Sequence, residues 1–242
     1  MDNDKLRSLA LASSCAAFIA VPNVGALAGG GEKTDRYDTV ITPPSYAFAV
    51  WAPIFAACAI DTRVQCTADG RTRPSSRRTG WPLTAAYLTN TAWSLAAQTD
   101  RFQYTPALLP LATSLTAVAH NRLRHVPPSR STSTATGMLL GWTALASTVN
   151  ILADAVRRGA PPHSRTTITA AATGLLVTGA ALTARITRTP TRGALAVAAP
   201  AVWGLLTTSA DRRRPPTIRA VSAAAALALG GIAGWRRSVK PT

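Results

Sequence analysis

Long runs without a charged residue alternate along this chain with short clusters of arginine. One run extends from Ile41 to Ile60, which is about the length that an α-helix needs to cross a bilayer. Charged residues make up only 15% of the 242 residues, against roughly 25% in soluble domains. This distribution is typical of a polytopic membrane protein.

Eight apolar segments of this kind predict an all-α fold, a membrane bundle of about eight transmembrane helices. The first has a basic start and small residues towards its end, as a secretory signal does. Pro22 and Asn23 interrupt its apolar centre, so we expect a retained span with a kink or an unwound end. The eight segments cover residues 8–31, 45–60, 80–98, 106–119, 135–153, 166–184, 193–210 and 220–235.

Aromatic residues mark three of these helices. Phe48, Trp51 and Phe55 are spaced three and four apart and therefore share one helix face. Trp93 and Trp142 lie inside the predicted third and fifth helices. Lipid-facing tryptophans prefer the membrane interface. Central ones are explained either by helix packing or by a pocket with indole walls, which suits a flat apolar ligand.

Two asparagines lie in the same helices as these tryptophans. Asn90 and Asn150 are costly in lipid unless their amides form hydrogen bonds. A bond between two helices would satisfy them, and so would a polar contact to a ligand.

The order of these residues resembles a family signature. A proline pair leads into an aromatic helix, an Asn-x-x-Trp-Ser motif follows on the next helix, and a tryptophan and an asparagine follow on the fifth. The pattern resembles the tryptophan-rich sensory protein family (TspO/MBR), the bacterial relatives of the mitochondrial translocator protein. The residues that carry it are Pro43, Pro44, Ser45, Tyr46, Phe48, Trp51, Pro53, Asn90, Trp93, Ser94, Trp142, Thr143, Ala144 and Asn150.

The resemblance implies a five-helix membrane domain over residues 1–154 and a three-helix extension over residues 155–242. It also implies that the protein binds a hydrophobic small molecule, tetrapyrrole-like or sterol-like, in a sensory or translocator role, with no firmly implied cofactor. The ligand would lie in a cavity beneath the loop of residues 32–42. The implied ligand-binding residues are Tyr46, Phe48, Trp51, Phe55, Asn90, Trp93, Trp142 and Asn150.

The titratable residues argue against an enzyme. Asp61, Asp100, Asp154 and Asp211 all lie at predicted helix ends, and the three cysteines lack metal-ligand spacing. Phosphate-binding and nucleophile motifs are missing from the sequence. A coupled transporter usually keeps ionisable residues inside its bundle. The alternatives to ligand sensing are therefore a small-molecule permease without an acidic coupling relay and a structural membrane protein without a ligand.

The net charge of +16 does not indicate nucleic acid as a partner. The arginines cluster where helices are predicted to end, and no nucleic-acid motif accompanies them. The bilayer is the expected partner, since basic residues beside spans meet anionic headgroups. Two Gly-x-x-x-Gly patterns, Gly137 to Gly141 and Gly230 to Gly234, allow close helix approach and hence a homodimer.

Orientation follows from the basic residues. With eight spans, 16 of the 26 Lys and Arg residues fall on the side that holds both termini. Basic loops stay in the cytoplasm, so the sequence predicts a protein of the bacterial plasma (inner) membrane with both termini cytoplasmic.

Reporter fusions after Arg7 and after Arg237 test this topology. Both fusions are expected to give the cytoplasmic signal, because an even number of spans returns the chain to the side where it began. A periplasmic signal from either fusion would contradict the eight-span arrangement.

Overall fold

The computed structural model describes residues 2–27, 38–99, 101–127, 129–188 and 191–238, and within them every regular element is helical. This confirms the predicted all-α class. Each predicted span corresponds to one α-helix. They are α1 (Asn3–Leu27), α2 (Trp51–Cys66), α3 (Pro74–Gln98), α4 (Thr105–Arg122), α5 (Arg130–Arg157), α6 (Arg165–Arg188), α7 (Thr191–Ala210) and α8 (Pro216–Ser238).

The second predicted helix differs from expectation at both ends. Ser45–Val50 is a 3₁₀ helix that leads into α2, and Pro43 and Pro44 precede it instead of forming its first turn. The Ala47 N–H donates to the carbonyl of Pro44 at 2.8 Å, which closes the first short-range turn. At the other end α2 continues past Ile60 to Cys66.

Helix α1 passes through Pro22 and extends to Leu27. The proline cannot donate a backbone hydrogen bond. The neighbouring Asn23 side chain donates from Nδ2 to the carbonyl of Ile19 at 2.6 Å. This polar side chain is therefore satisfied by the backbone of its own helix, one turn earlier.

The helices form two rings that share α5. In the first ring, neighbouring helices follow the order α1, α2, α5, α4 and α3, and α3 closes back onto α1. In the second ring, α5 packs against α7, α7 against α8, α8 against α6, and α6 against α5. Because α5 belongs to both rings, the division of the chain near residue 154 stays a prediction.

Six of the described helices are long and apolar enough to span a membrane. The exceptions are α3 and α4, which are rich in hydroxyl side chains. Those hydroxyls bond to the preceding helical turn, as Thr91 Oγ1 does to Tyr87 O and Thr116 Oγ1 to Ala112 O. Such bonds satisfy polar groups that would otherwise be costly inside a membrane bundle.

The aspartates correct one expectation. Asp154 and Asp211 lie at helix ends beside arginines, as expected, and Asp100 lies outside the described residues. Asp61 is inside α2 and has no exposed surface. The sequence placed it in a loop because Arg63 and a run of polar residues follow it.

The first Gly-x-x-x-Gly pattern serves packing within the chain. A Cβ atom on Gly137 would lie 2.8 Å from the Cβ of Ala196, and one on Gly141 would collide with the carbonyl oxygen of Val197. These glycines allow α5 and α7 to approach closely. At Gly230 an added Cβ would meet nothing within 4 Å, so only the second pattern is open to another chain, and a homodimer stays a prediction.

We expect Gly141→Ala to lower the free energy of unfolding by about 1–3 kcal/mol, the usual cost of overpacking. The added methyl group would force α5 and α7 apart at a backbone contact. Thermal unfolding of the detergent-solubilised protein measures the change, and Gly230→Ala, with open space around its Cβ, is the matched control. Equal melting temperatures for the two variants would show that the α5–α7 contact is not tight.

Candidate functional site

The first ring is filled by aromatic side chains that centre on Trp51. Its ring lies 5.3 Å from Phe55, in stacked geometry, and 6.1 Å from Trp142, edge to face. Trp93 and Phe18 are 6.4 Å and 6.0 Å away. Four helices therefore contribute to one aromatic cluster, at the centroid distances at which aromatic pairs attract each other.

Phe18 and Tyr87 belong to this cluster although the sequence did not single them out. Phe18, on α1, stacks on Tyr87 of α3 at 5.2 Å and meets Phe55 edge to face at 5.0 Å. Tyr87 precedes Asn90 by three residues and lies within the same helix as Trp93, which is the one signal that could have indicated it. For Phe18 the periodicity gives no such signal, because all its neighbours in α1 from Cys15 to Val21 are apolar.

The two predicted asparagines behave differently. Asn150 accepts a hydrogen bond at Oδ1 from Trp93 Nε1 at 3.1 Å, and its Nδ2 donates to Ala146 O. This bond joins α5 to α3 across the ring. The Asn90 Nδ2 donates to Ala86 O, while its buried Oδ1 has no hydrogen-bond partner. The helix–helix bond, one of the two explanations left open by the sequence, therefore holds for Asn150.

A small apolar cavity lies beside the cluster, with a volume of about 40 Å³. A cavity of this volume holds only about two or three water molecules. It lies where the end of the loop before α2 meets α5 and the α3–α4 connection. Its lining includes Thr42, Pro43, Phe48, Trp93, Phe102, Trp142, Leu145, Val149 and Asn150.

The structure thus brings together most of the predicted site. Phe48, Trp93, Trp142 and Asn150 line the cavity, and Trp51 and Phe55 pack in the adjoining cluster. Tyr46 is 58% exposed and lies apart from them, with its ring edge to face against Trp203 of α7 at 6.3 Å. Asn90 does not line the cavity. Residues 32–37 of the loop expected above it lie outside the described residues, whereas Thr42 does reach it.

The second ring braces this site. Trp203 Nε1 donates to the carbonyl of Ala47 at 2.8 Å and so holds the 3₁₀ turn that leads into α2. Gly204 leaves space for Trp142, since an added Cβ would lie 3.0 Å from the indole. Helix α7 therefore fixes two walls of the aromatic site from outside the first ring.

A buried arginine holds the loop end that reaches the cavity. Arg214, only 7% exposed, donates to the carbonyl of Thr39 at 2.7 Å and to the Asp38 carboxylate at 2.9 and 3.0 Å. It also pairs with Asp211 at 3.2 Å. The Arg213 guanidinium, which donates to Asp211, holds the pKa of that carboxyl below its ordinary value. The Asp211 carboxylate therefore stays charged to a lower pH than usual, and the stability that it contributes is lost as the pH falls through that lowered pKa.

The chemistry available at the site is non-covalent. Among the described residues, no group of three or more His, Cys, Asp or Glu side chains could hold a metal ion. The aromatic cluster offers π faces, apolar surface and one bonded asparagine. Such a site binds by burial and stacking.

These features define a helical membrane protein with an aromatic site inside a five-helix ring. Comparison with protein families then identifies it: residues 10–235 match the family described as TSPO-like protein, and the chain belongs to that family. Proteins of this family are generally non-enzymatic membrane proteins, and the family indicates a sensory or translocator protein. Neither the curated proteins nor the solved structures gave a significant match.

We expect Arg214→Gln to lower the free energy of unfolding by about 1.5–3 kcal/mol, the usual worth of a hydrogen bond to a charged group. The change removes the link between the α7–α8 turn and the loop end at Thr39. Arg213→Gln is the matched control, because Arg213 is exposed and its loss leaves Arg214 in place. Thermal unfolding measures both, and the same melting temperature for both variants would show that burial of Arg214 adds nothing.

Proposed function

We propose that this protein binds a flat hydrophobic ligand, of tetrapyrrole or sterol type, in the aromatic cluster of its first ring, in a sensory or translocator role. The observation that carries the proposal is the convergence of Phe18, Phe55, Trp93 and Trp142 on Trp51. Indole and phenyl faces stack on flat rings, and a membrane protein has no need of so many aromatic groups at one point for insertion alone.

The cavity volume adds a condition to this proposal. Pockets that enclose drug-sized ligands measure about 300–1,000 Å³, whereas the cavity here measures about 40 Å³. A tetrapyrrole would therefore bind only after one or more aromatic side chains move. Phe48 and Trp142 are suited to this role because both line the cavity and contact each other, and Trp142 also contacts Trp51.

The setting of the site is also part of the proposal. We place the protein in the bacterial inner membrane with both termini in the cytoplasm, on the strength of the basic residues. Thr42 and Pro43 would then be at the opposite face, and the ligand would reach the cluster from that side. A hydrophobic small molecule and the bilayer are the proposed partners.

Replacement of Trp51 by Leu tests the binding site. We expect about ten-fold weaker binding of protoporphyrin, since an aromatic pair is worth about 0.5–1.5 kcal/mol beyond its buried area. Quenching of tryptophan fluorescence in the purified protein measures the affinity. Trp235→Leu is the control, because Trp235 is 58% exposed at the end of α8.

A second variant separates binding from folding. Trp93→Phe keeps an aromatic wall and removes only the bond from Nε1 to Asn150, so it should fold even if Trp51→Leu does not. Affinity that falls equally for the Trp51 and Trp235 variants, or for neither, would show that Trp51 is a packing residue. Mass spectrometry of molecules that co-purify with the protein identifies the natural ligand class.

A further inference from the structure

Asp61 is a buried carboxyl group of the first ring, six residues after Phe55 on α2. It lies five residues before the helix ends, and its exposure is 0%. Cys15 and Cys58, both buried side chains, belong to the core cluster of the same ring. The carboxyl group is thus surrounded by protein.

The hydrogen-bond donors to Asp61 are all neutral. Oδ1 accepts from Thr132 Oγ1 at 2.7 Å and from Ser131 Oγ at 3.0 Å, both on α5. Oδ2 accepts from Gln65 Nε2 at 2.8 Å. These bonds join α2 to α5 and hold both carboxyl oxygens. A neutral Asp61 donates its own O–H, and the Thr132 hydroxyl can accept it and turn its proton to Ser129 Oγ, or a turned Gln65 amide can accept it.

Other buried aspartates of the described chain are paired with arginine. Asp4 pairs with Arg7 at 2.6 Å, and Asp154 pairs with Arg157 at 2.8 Å. No Lys or Arg of the described residues forms an ion pair with Asp61. An unpaired carboxylate costs far more to bury than a neutral acid, and a protein usually keeps such a group neutral.

The groups that face Asp61 give it no positive charge. The buried Arg7 guanidinium on α1 is engaged by Asp4 and by the carbonyl of Arg71. The His120 ring on α4 bonds to the Thr136 hydroxyl at 2.8 Å. Arg63, two residues after Asp61, and Arg130, next to Ser131, are both exposed. The titratable groups within electrostatic range of Asp61 include the thiols of Cys15, Cys58 and Cys66 and the hydroxyl of Tyr87.

Two hydroxyl groups connect Asp61 to the edge of the bundle. Thr132 Oγ1, which donates to Asp61, lies 2.8 Å from Ser129 Oγ. Ser129 is the half-buried N-cap of α5, at the loop between α4 and α5. A proton can pass along such a chain of hydroxyls by successive exchange of hydrogen bonds.

We propose that Asp61 is a proton-binding site of this protein, which carries a proton at neutral pH and exchanges it with solvent through Thr132 and Ser129. In the exchange, the O–H bond of the carboxylic acid breaks and the proton passes to water, leaving the carboxylate. Buried acids of this kind carry the coupling in proton-driven carriers. The sequence argued against a coupled transporter because its acids are predicted at helix ends. Asp61, inside α2, is such an acid within the bundle.

Infrared difference spectroscopy of the purified full-length protein tests the assignment. The wild type should show the carbonyl stretch of a protonated carboxylic acid at neutral pH, and Asp61→Asn should lack it. Asparagine keeps the size of the neutral acid, and a turn of the Gln65 amide would satisfy it. Asp154→Asn is the control and should keep the band, because Asp154 forms ion pairs with Arg157 and Arg158, which Asp61 lacks among the described residues.

The exchange path has its own variant. Thr132→Val keeps the shape of the side chain and removes the hydroxyl. The carbonyl band of Asp61 should persist, but its frequency shift on exchange of hydrogen for deuterium should become about ten-fold slower, the effect of one lost hydrogen bond. The proposal is overturned if the wild type shows no such band at neutral pH, or if Asp61→Asn retains it. Loss of the band on addition of sodium chloride at constant pH would assign a cation site instead.

Discussion

The packing of α5 is the constraint on which both rings depend. Small glycines on one side admit α7, and hydroxyl pairs join α5 to its other neighbours. Ser147 Oγ lies 3.1 Å from Thr113 Oγ1 of α4, and Thr148 Oγ1 lies 2.6 Å from Thr178 Oγ1 of α6. With lipid as apolar as the helices, association rests on close packing and on such bonds. A helix with this surface composition is suited to be surrounded by protein.

Most of the helices follow from the sequence because charge-free length is a local property. A bilayer-spanning helix needs only an apolar run of sufficient length, and the arginine clusters mark its ends. The stripe of Phe48, Trp51 and Phe55 could be predicted for the same reason, since spacing defines a helix face. In the structure Trp51 and Phe55 stack on each other in α2, whereas Phe48 lies in the preceding 3₁₀ helix and contacts Trp142.

What could not be predicted depends on contacts between distant segments. Asp61 looks like a helix end because polar residues follow it, and the two hydroxyl donors on α5 explain its burial. Tyr46 has the same aromatic character as Phe48, yet it turns towards Trp203, which is 157 residues further along the chain. Periodicity cannot single out Phe18, because the residues around it in α1 are apolar. In each case the partner on another helix decides the position.

The last three helices contact the surroundings of the aromatic site at three points. Trp203 holds the turn before α2, Gly204 accommodates Trp142, and Arg214 fixes the loop end that carries Thr42. These contacts act on the α2 turn, the α5 indole and the loop above the cavity, which are the three parts that would have to move to admit a large ligand. Their rigidity therefore sets the free energy of opening the site. A ligand binds only as tightly as its contacts exceed that cost. For the proposed ligand, the second ring would thus tune the affinity of the first ring without touching the ligand.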